Sequence, residues 1–139
     1  MDPTRTLMDG MTRVPDGVLV VDDQELLRAT MRDVIAGIAE LVIVGEASSG
    51  EEAVEAADQL APRLVVMDVK MPGMGGLAAT RRLLARRPET VVVLVSVDEC
   101  DSEQILSAGA AAFIPKQRLS TRRLREVWEA ARDASPPAK

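Results

Sequence analysis

The stretch LVVMDVKMPGMGG, residues 64–76, decides how this chain folds. An apolar run suited to a buried strand goes straight into Asp68, and a basic residue, a proline and several glycines follow at once. Aspartate is a poor strand former and is costly to bury without a partner. A strand ending on a carboxylate and breaking immediately into a flexible loop implies that the carboxylate is wanted at the end of that strand.

Four further apolar runs share the character of 64–67: VLVV at 18–21, LVIV at 41–44, VVVLV at 91–95 and the shorter AAFI at 111–114. Short, rich in valine and without polar alternation, they read as strands buried on both faces. Helical patterns lie between them. Over 25–39, Leu27, Met31, Val34 and Ile38 share one face. Ser49-Gly50-Glu51-Glu52 forms a capping box, opening a helix whose Ala53, Val54, Ala57 and Leu60 are expected to face inward, with Pro62 after its end. A third helix covers 77–87 and stops at Pro88, and a fourth covers 102–108 and closes at Gly109. The fifth opens at Ser120, with Leu119 and Leu124 placed as a hydrophobic staple and Leu124, Val127, Trp128 and Ala131 on its apolar stripe. Strict β–α alternation predicts an α/β fold, a doubly wound parallel sheet of five strands with helices on both faces.

The 139 residues suffice for one domain with a proper core. The boundaries expected are a flexible lead-in over 1–14, a domain over 15–134 and a tail or the start of a linker over 135–139. No histidine is present, which removes Ser-His-Asp and Cys-His catalysis and most zinc sites. The single cysteine, Cys100, has no internal disulfide partner, which suits a reducing cytoplasm. No apolar run approaches membrane-spanning length. The only aromatic residues are Phe113 and Trp128, too few for a base-stacking platform, and the net charge of −5 disfavours direct binding of nucleic acid. That charge is uneven: residues 1–60 hold four basic and thirteen acidic side chains, and 61–139 hold thirteen and nine.

In an open α/β sheet, ligands gather outside the carboxyl ends of the strands. Those ends carry Asp22 and Asp23, Asp68, Ser96 and, just past the fifth strand, Lys116. Each has an ordinary explanation alone: an acidic helix cap, a turn serine, a solvated lysine. Asp68 is hardest to explain this way, because no helix starts directly after it. Together, three carboxylates repel one another unless a cation sits among them. An oxygen-only donor set favours a hard ion, Mg²⁺ before Ca²⁺. A carboxylate held beside such an ion can attack phosphorus, and a lysine and a hydroxyl can stabilise the transferring group.

VLVVDDQ, MDVKMPGMGG, VLVS and AGAAAFIPK resemble, in order and spacing, the motifs of the receiver domain of two-component response regulators, over roughly residues 17–132. VGEASSGEEAVEAA is most similar to receivers of the NarL/LuxR-type subgroup. The resemblance implies a flavodoxin-like receiver fold with strand order 2-1-3-4-5. It implies bacterial phosphorelay signalling in which Asp68 takes a phosphoryl group from a sensor histidine kinase or phosphotransfer protein. Asp22, Asp23, Asp68 and the Lys70 carbonyl would hold Mg²⁺, Ser96 and Lys116 would contact the phosphoryl group, and Ser96 and Phe113 would form the switch. Such a domain is not an enzyme on other substrates, but catalyses its own Mg²⁺-dependent phosphorylation and dephosphorylation. It implies a cytoplasmic protein that binds no membrane and signals through protein contacts, with a homodimer through the fourth helix, fifth strand and fifth helix as a possible output. Arg118, Arg122 and Arg125 are expected near that face. The alternative is the regulatory half of a helix-turn-helix transcription factor. A more distant one, an aspartate-dependent phosphohydrolase like the haloacid-dehalogenase-like phosphatases, needs a second acid where Lys70 stands. The sequence departs from the common receiver pattern in Gln117, which replaces a proline, in the larger Val97 after Ser96, and in Gly75, where an Asp is common.

Overall fold

The computed structural model describes residues 14–134, so the lead-in expected over 1–14 lies outside them but for Val14, and the tail over 135–139 lies outside entirely. The elements are β1 (Asp16–Val21), α1 (Glu25–Ala36), β2 (Leu41–Ala47), α2 (Gly50–Leu60), β3 (Leu64–Asp68), α3 (Gly76–Arg86), β4 (Val91–Ser96), α4 (Ser102–Ala108), β5 (Ala112–Pro115) and α5 (Thr121–Ala134). A single 3₁₀ turn, Lys116–Arg118, joins the last two and was not anticipated. The strands form one sheet of order β2-β1-β3-β4-β5, all pairs parallel.

Alternate residues of each strand point to opposite faces, which divides the core in two. On one side Val18, Val20, Leu64, Val66, Val93 and Ile114 meet Met31 and Ile35 of α1 and Leu124, Val127 and Trp128 of α5. On the other, Leu19, Val21, Val65, Met67, Val92 and Leu94 meet Ala53 and Ala57 of α2, Ala79 and Leu83 of α3 and Ile105 of α4. Small residues on α2 and α3 let these helices lie close to the sheet.

Two expectations fail at one edge. β2 is not buried on both faces: Val42 and Val44 are exposed, because β2 pairs only with β1. Leu60 is 42% exposed rather than inward, lying over Gly45 of that edge strand. The capping box is also displaced. Ser49 accepts from the Glu52 N–H as expected, but the Glu52 carboxylate reaches back to the N–H and hydroxyl of Ser48. Those bonds hold the Glu52 carboxyl below its ordinary pKa. At the fifth helix Ser120 Oγ accepts from Arg123 N at 3.0 Å, and Leu119 packs against the cluster containing Leu124.

The candidate phosphoryl-accepting site

Four loops at the carboxyl edge of the sheet carry the polar residues. β1 delivers Asp22, which is fully buried, and the exposed Asp23 just beyond it. Asp22 N donates to Ala47 O of β2 at 3.1 Å, so the chain leaves β1 in a fixed direction. Asp22 Oδ1 accepts from Gln24 N at 2.9 Å, and α1 begins without a side-chain cap at Gln24. The ordinary turn role and the site role thus fall to the two oxygens of one carboxylate, since Oδ2 faces Lys116.

β3 ends on Asp68, 6% exposed, opposite Val95 of β4. The loop after it turns through Gly73, whose φ of +75° favours glycine, and enters α3 where Gly76 N donates to Val69 O at 2.8 Å. A Cβ on Gly76 would overlap the Asp68 carbonyl oxygen and stand 2.9 Å from Val69 Cα. Only glycine lets α3 start this close to the end of β3, which is why the opening stretch breaks as it does.

Asp22, Asp23 and Asp68 each offer an oxygen, all within 4.8 Å of one another. Lys116 Nζ lies 2.9 Å from Asp22 Oδ2 and 3.5 Å from Asp68 Oδ2, and the lysine is 11% exposed. Burial raises the Asp68 carboxyl above its ordinary pKa. Lys116 opposes that shift, the Asp22 charge adds to it and the Lys70 N–H, 3.4 Å from Oδ1, opposes it.

Ser96 ends β4 and is 1% exposed; its Oγ accepts from Asp98 N at 3.2 Å. Phe113 on β5 is half-buried against the cluster containing Leu94 and Ile105, and lines a surface groove with Val97, Asp98, Pro115, Gln117 and Arg118. Val97 is 59% exposed, turned toward this groove rather than into the core. The structure therefore brings together Asp22, Asp23, Asp68 and Lys116, puts the Lys70 amide beside Asp68, and keeps Ser96 in a hydrogen bond of its own loop. Of the three arginines, Arg118 lines the groove and Arg122 pairs with Glu126, but Arg125 Nη2 donates to Gly37 O behind α1, away from the face expected for it.

Two residues escaped the sequence reading. Asp98 Oδ2 is 2.6 Å from Lys70 Nζ, an exposed ion pair joining the loops after β3 and β4 across the site mouth, and it holds the Lys70 ammonium above its ordinary pKa. No sequence signal links positions so far apart. Arg28 Nη1 donates to Asp22 O at 2.6 Å. A basic residue in the first turns of a helix opposes the helix dipole, and that was the available hint. Lys70 itself points to Asp98, and no second acid stands in its place for phosphohydrolase chemistry.

The response regulator receiver domain family matches residues 18–129. Response regulator GacA of Pseudomonas viridiflava is 50% identical over 101 residues, covering 71% of this chain and 47% of that protein. Response regulator UvrY of Escherichia coli K12 is 39% identical over 101 residues, covering 71% of this chain and 46% of that protein. The signal receiver domain of the response regulator NarL from Mycobacterium tuberculosis superposes with a TM-score of 0.77 at 28% identity, covering 85% of this chain and 97% of that one. The chain spans about half the length of the curated relatives it matches.

Proposed function

Because this chain belongs to the response regulator receiver domain family, we propose that it works as a phosphorelay switch with Asp68 as phosphoacceptor. The observation that carries the reading is the group of three carboxylate oxygens within 4.8 Å, with the Lys116 ammonium against two of them. A carboxylate oxygen of Asp68 forms a bond to phosphorus as the bond from phosphorus to the donor breaks, leaving an acyl phosphate on Asp68. The donor is a phosphohistidine on a sensor kinase or phosphotransfer protein. Asp68 attacks as the carboxylate, so Lys116, which favours its ionised form despite burial, supports the nucleophile. The same ammonium is placed to neutralise charge on the transferred group, and the Ser96 hydroxyl is the group that turns to it from Asp98 N. Water attack on the acyl phosphate reverses the switch.

The residues fit a hard divalent cation. Their donors are all oxygens, two of the three carboxylates are buried, and one lysine cannot balance three negative charges. Asp22, Asp23, Asp68 and the Lys70 carbonyl would hold Mg²⁺. When bound, it supplies neutralising charge to the phosphoryl group during transfer.

The domain takes up residues 15–134, in the cytoplasm, with output through protein contacts and a homodimer at α4, β5 and α5 as one form of it. Among the described residues no helix is long and apolar enough to cross a membrane. A second reading, the regulatory half of a helix-turn-helix transcription factor, is favoured by the chain's covering about half of its relatives' length. The coding sequence beyond Lys139 decides between them.

The test is intact mass after incubation with acetyl phosphate and Mg²⁺. The parent gains one base-labile phosphoryl group and Asp68→Asn gains none. Equal labelling of the mutant overturns the assignment of Asp68.

A further inference from the structure

We propose that Arg28 is a positioning residue for the divalent-cation site, acting through the Asp22–Asp23 peptide; this rests on the reading of those two aspartates as cation ligands. Asp23 differs from Asp22 and Asp68 in being exposed, and among the described residues no hydrogen bond holds its carboxylate. Its direction therefore depends on the backbone that carries it. The Asp22 carbonyl and the Asp23 N–H and Cα share one rigid plane, so whatever fixes that carbonyl also fixes where the Asp23 Cα stands and narrows the directions open to its side chain. Arg28 Nη1 donates to this carbonyl at 2.6 Å.

The guanidinium is itself held. Its Nε donates to Glu46 Oε1 at 3.1 Å and its Nη2 to Glu25 Oε2 at 2.6 Å, and the side chain is 16% exposed. Arg32 closes the ring, with Nη1 2.8 and 2.9 Å from the two Glu46 oxygens and Nη2 2.8 Å from Glu25 Oε1. Two arginines and two glutamates thus lock one fork whose third nitrogen, Nη1, is aimed at the backbone of the acidic pair. Glu46 comes from β2, next to Ala47, which accepts from Asp22 N. Asp22 is clamped at its N–H by the β2 backbone and at its carbonyl by an arginine that β2 holds. A planar fork can keep three acceptors in fixed directions at once; an ammonium, a single point of charge, cannot do so.

The geometry also disfavours a purely helix-stabilising role. Arg28 stands in the first turns of α1, where a cation opposes the helix dipole. Its partners outside the helix, Asp22 O and Glu46, account for a basic residue there.

Mg²⁺ titration calorimetry on the parent, Arg28→Ala, Arg28→Lys and Glu46→Ala tests this. Loss of a residue that orients a ligand weakens metal binding by about tenfold or more, and Arg28→Ala is expected to raise the Mg²⁺ Kd by about that factor. Glu46→Ala, which frees the fork without removing it, gives a smaller rise, and Arg28→Lys falls between parent and alanine. Labelling by acetyl phosphate should then need correspondingly more Mg²⁺ for half-saturation, while its rate at saturating Mg²⁺ stays at the parent value. Without metal, amide exchange of Asp23 and Gln24 is faster in Arg28→Ala. A folded Arg28→Ala with the parent's Kd, or with a lower saturated rate and unchanged Kd, overturns the proposal. If Arg28→Ala does not fold, Glu46→Ala with the parent's Kd overturns it. A parent that binds no Mg²⁺ overturns the cation site itself and this inference with it, whereas a parent that binds while Arg28→Ala binds equally removes only the inference.

Discussion

Lys116 and Asp22 stand 94 positions apart in the chain, yet Nζ of the one lies 2.9 Å from Oδ2 of the other. The contact ties the end of the inner strand β1 to the first residue after the edge strand β5, and it sets one positive charge against the buried carboxylates of the site. Removing one partner of a buried ion pair leaves the other uncompensated, at a cost of about 3 kcal/mol. Lys116→Ala should therefore melt well below the parent in chelator. It should also gain more from millimolar Mg²⁺ than the parent does, because the cation then takes over the neutralisation that the lysine supplied. Urea unfolding with and without Mg²⁺ measures both, and an equal Mg²⁺ increment in the two proteins would refute this account.

Metal dependence should follow Asp23 in the opposite sense. Asp23 is exposed and adds negative charge beside two buried carboxylates. In chelator Asp23→Asn is expected to match the parent's stability or exceed it slightly, repulsion at an exposed site being screened by water. With Mg²⁺ present the order reverses, since the mutant lacks a ligand. Thermal melts across a Mg²⁺ series show the crossover, and curves that never cross would remove Asp23 from the ligand set.

The raised pKa of Asp68 predicts a pH dependence of the metal-free protein. A carboxyl whose folded pKa lies above its unfolded value stabilises the fold fully below the unfolded pKa, and that contribution is lost as pH rises through the folded pKa. Asp68→Asn keeps the neutral shape at every pH. In chelator the mutant should therefore gain on the parent as pH rises through the upward-shifted Asp68 titration, the opposite of an aspartate whose pKa is lowered by an ion pair. A gap that stays constant with pH would mean that Lys116 offsets the burial completely.

Gly76 supplies a test of how the loop after Asp68 is built. Its Cβ would overlap the Asp68 carbonyl oxygen, so Gly76→Ala must push α3 away from the end of β3. Overpacking of this kind costs about 1–3 kcal/mol, and here the displaced atoms belong to the residue proposed as phosphoacceptor. At Gly75 the added atom would stand 3.1 Å from Val69 O, and its φ of −76° is open to any residue. Gly75→Ala should lose less stability and keep its labelling rate, while Gly76→Ala loses both. Equal behaviour of the two mutants in denaturant melts and acetyl phosphate labelling would count against the close-approach explanation.

The alternation of valine-rich runs with amphipathic stretches was enough to read the sheet, its order through the resemblance, and the convergence of Asp22, Asp23, Asp68 and Lys116. Strand order matters more than periodicity for the residues that were misread. Val42 and Val44 look like core by type, and their place on the edge strand β2 leaves them to solvent, as does the position of Leu60 at the end of α2 over that strand. Arg28 and Asp98 were missed for a different reason. Their partners, Asp22 O and Lys70 Nζ, are set by how separate loops meet at the rim, and no local pattern encodes that meeting. The 3₁₀ turn after Lys116 is a single turn, too short to leave a hydrophobic period.

Ser96 is the residue proposed to couple the site to a distant surface. Its hydroxyl now accepts from Asp98 N, and Asp98 in turn pairs with Lys70 across the site mouth. A hydroxyl that turns to a phosphoryl oxygen on Asp68 releases the Asp98 amide and loosens the start of the loop into α4. Phe113, half-buried on the neighbouring strand, borders the same groove as Val97 and Asp98, and its packing is expected to follow that loop. A ligand shifts a conformational balance only through contacts that differ between the states, and this hydrogen bond is the one proposed to differ. Ser96→Ala lacks it from the start. Unphosphorylated Ser96→Ala should therefore exchange its 98–101 amides faster than the parent, accept phosphate on Asp68 more slowly, and show little further change over 98–125 when a phosphate mimic is added. Amide exchange with and without the mimic reads both segments, and intact mass over time reads the rate of phosphate acceptance. A full response over 98–125 in Ser96→Ala would show that the signal leaves the site by another route, with the Lys70–Asp98 pair the next to be cut.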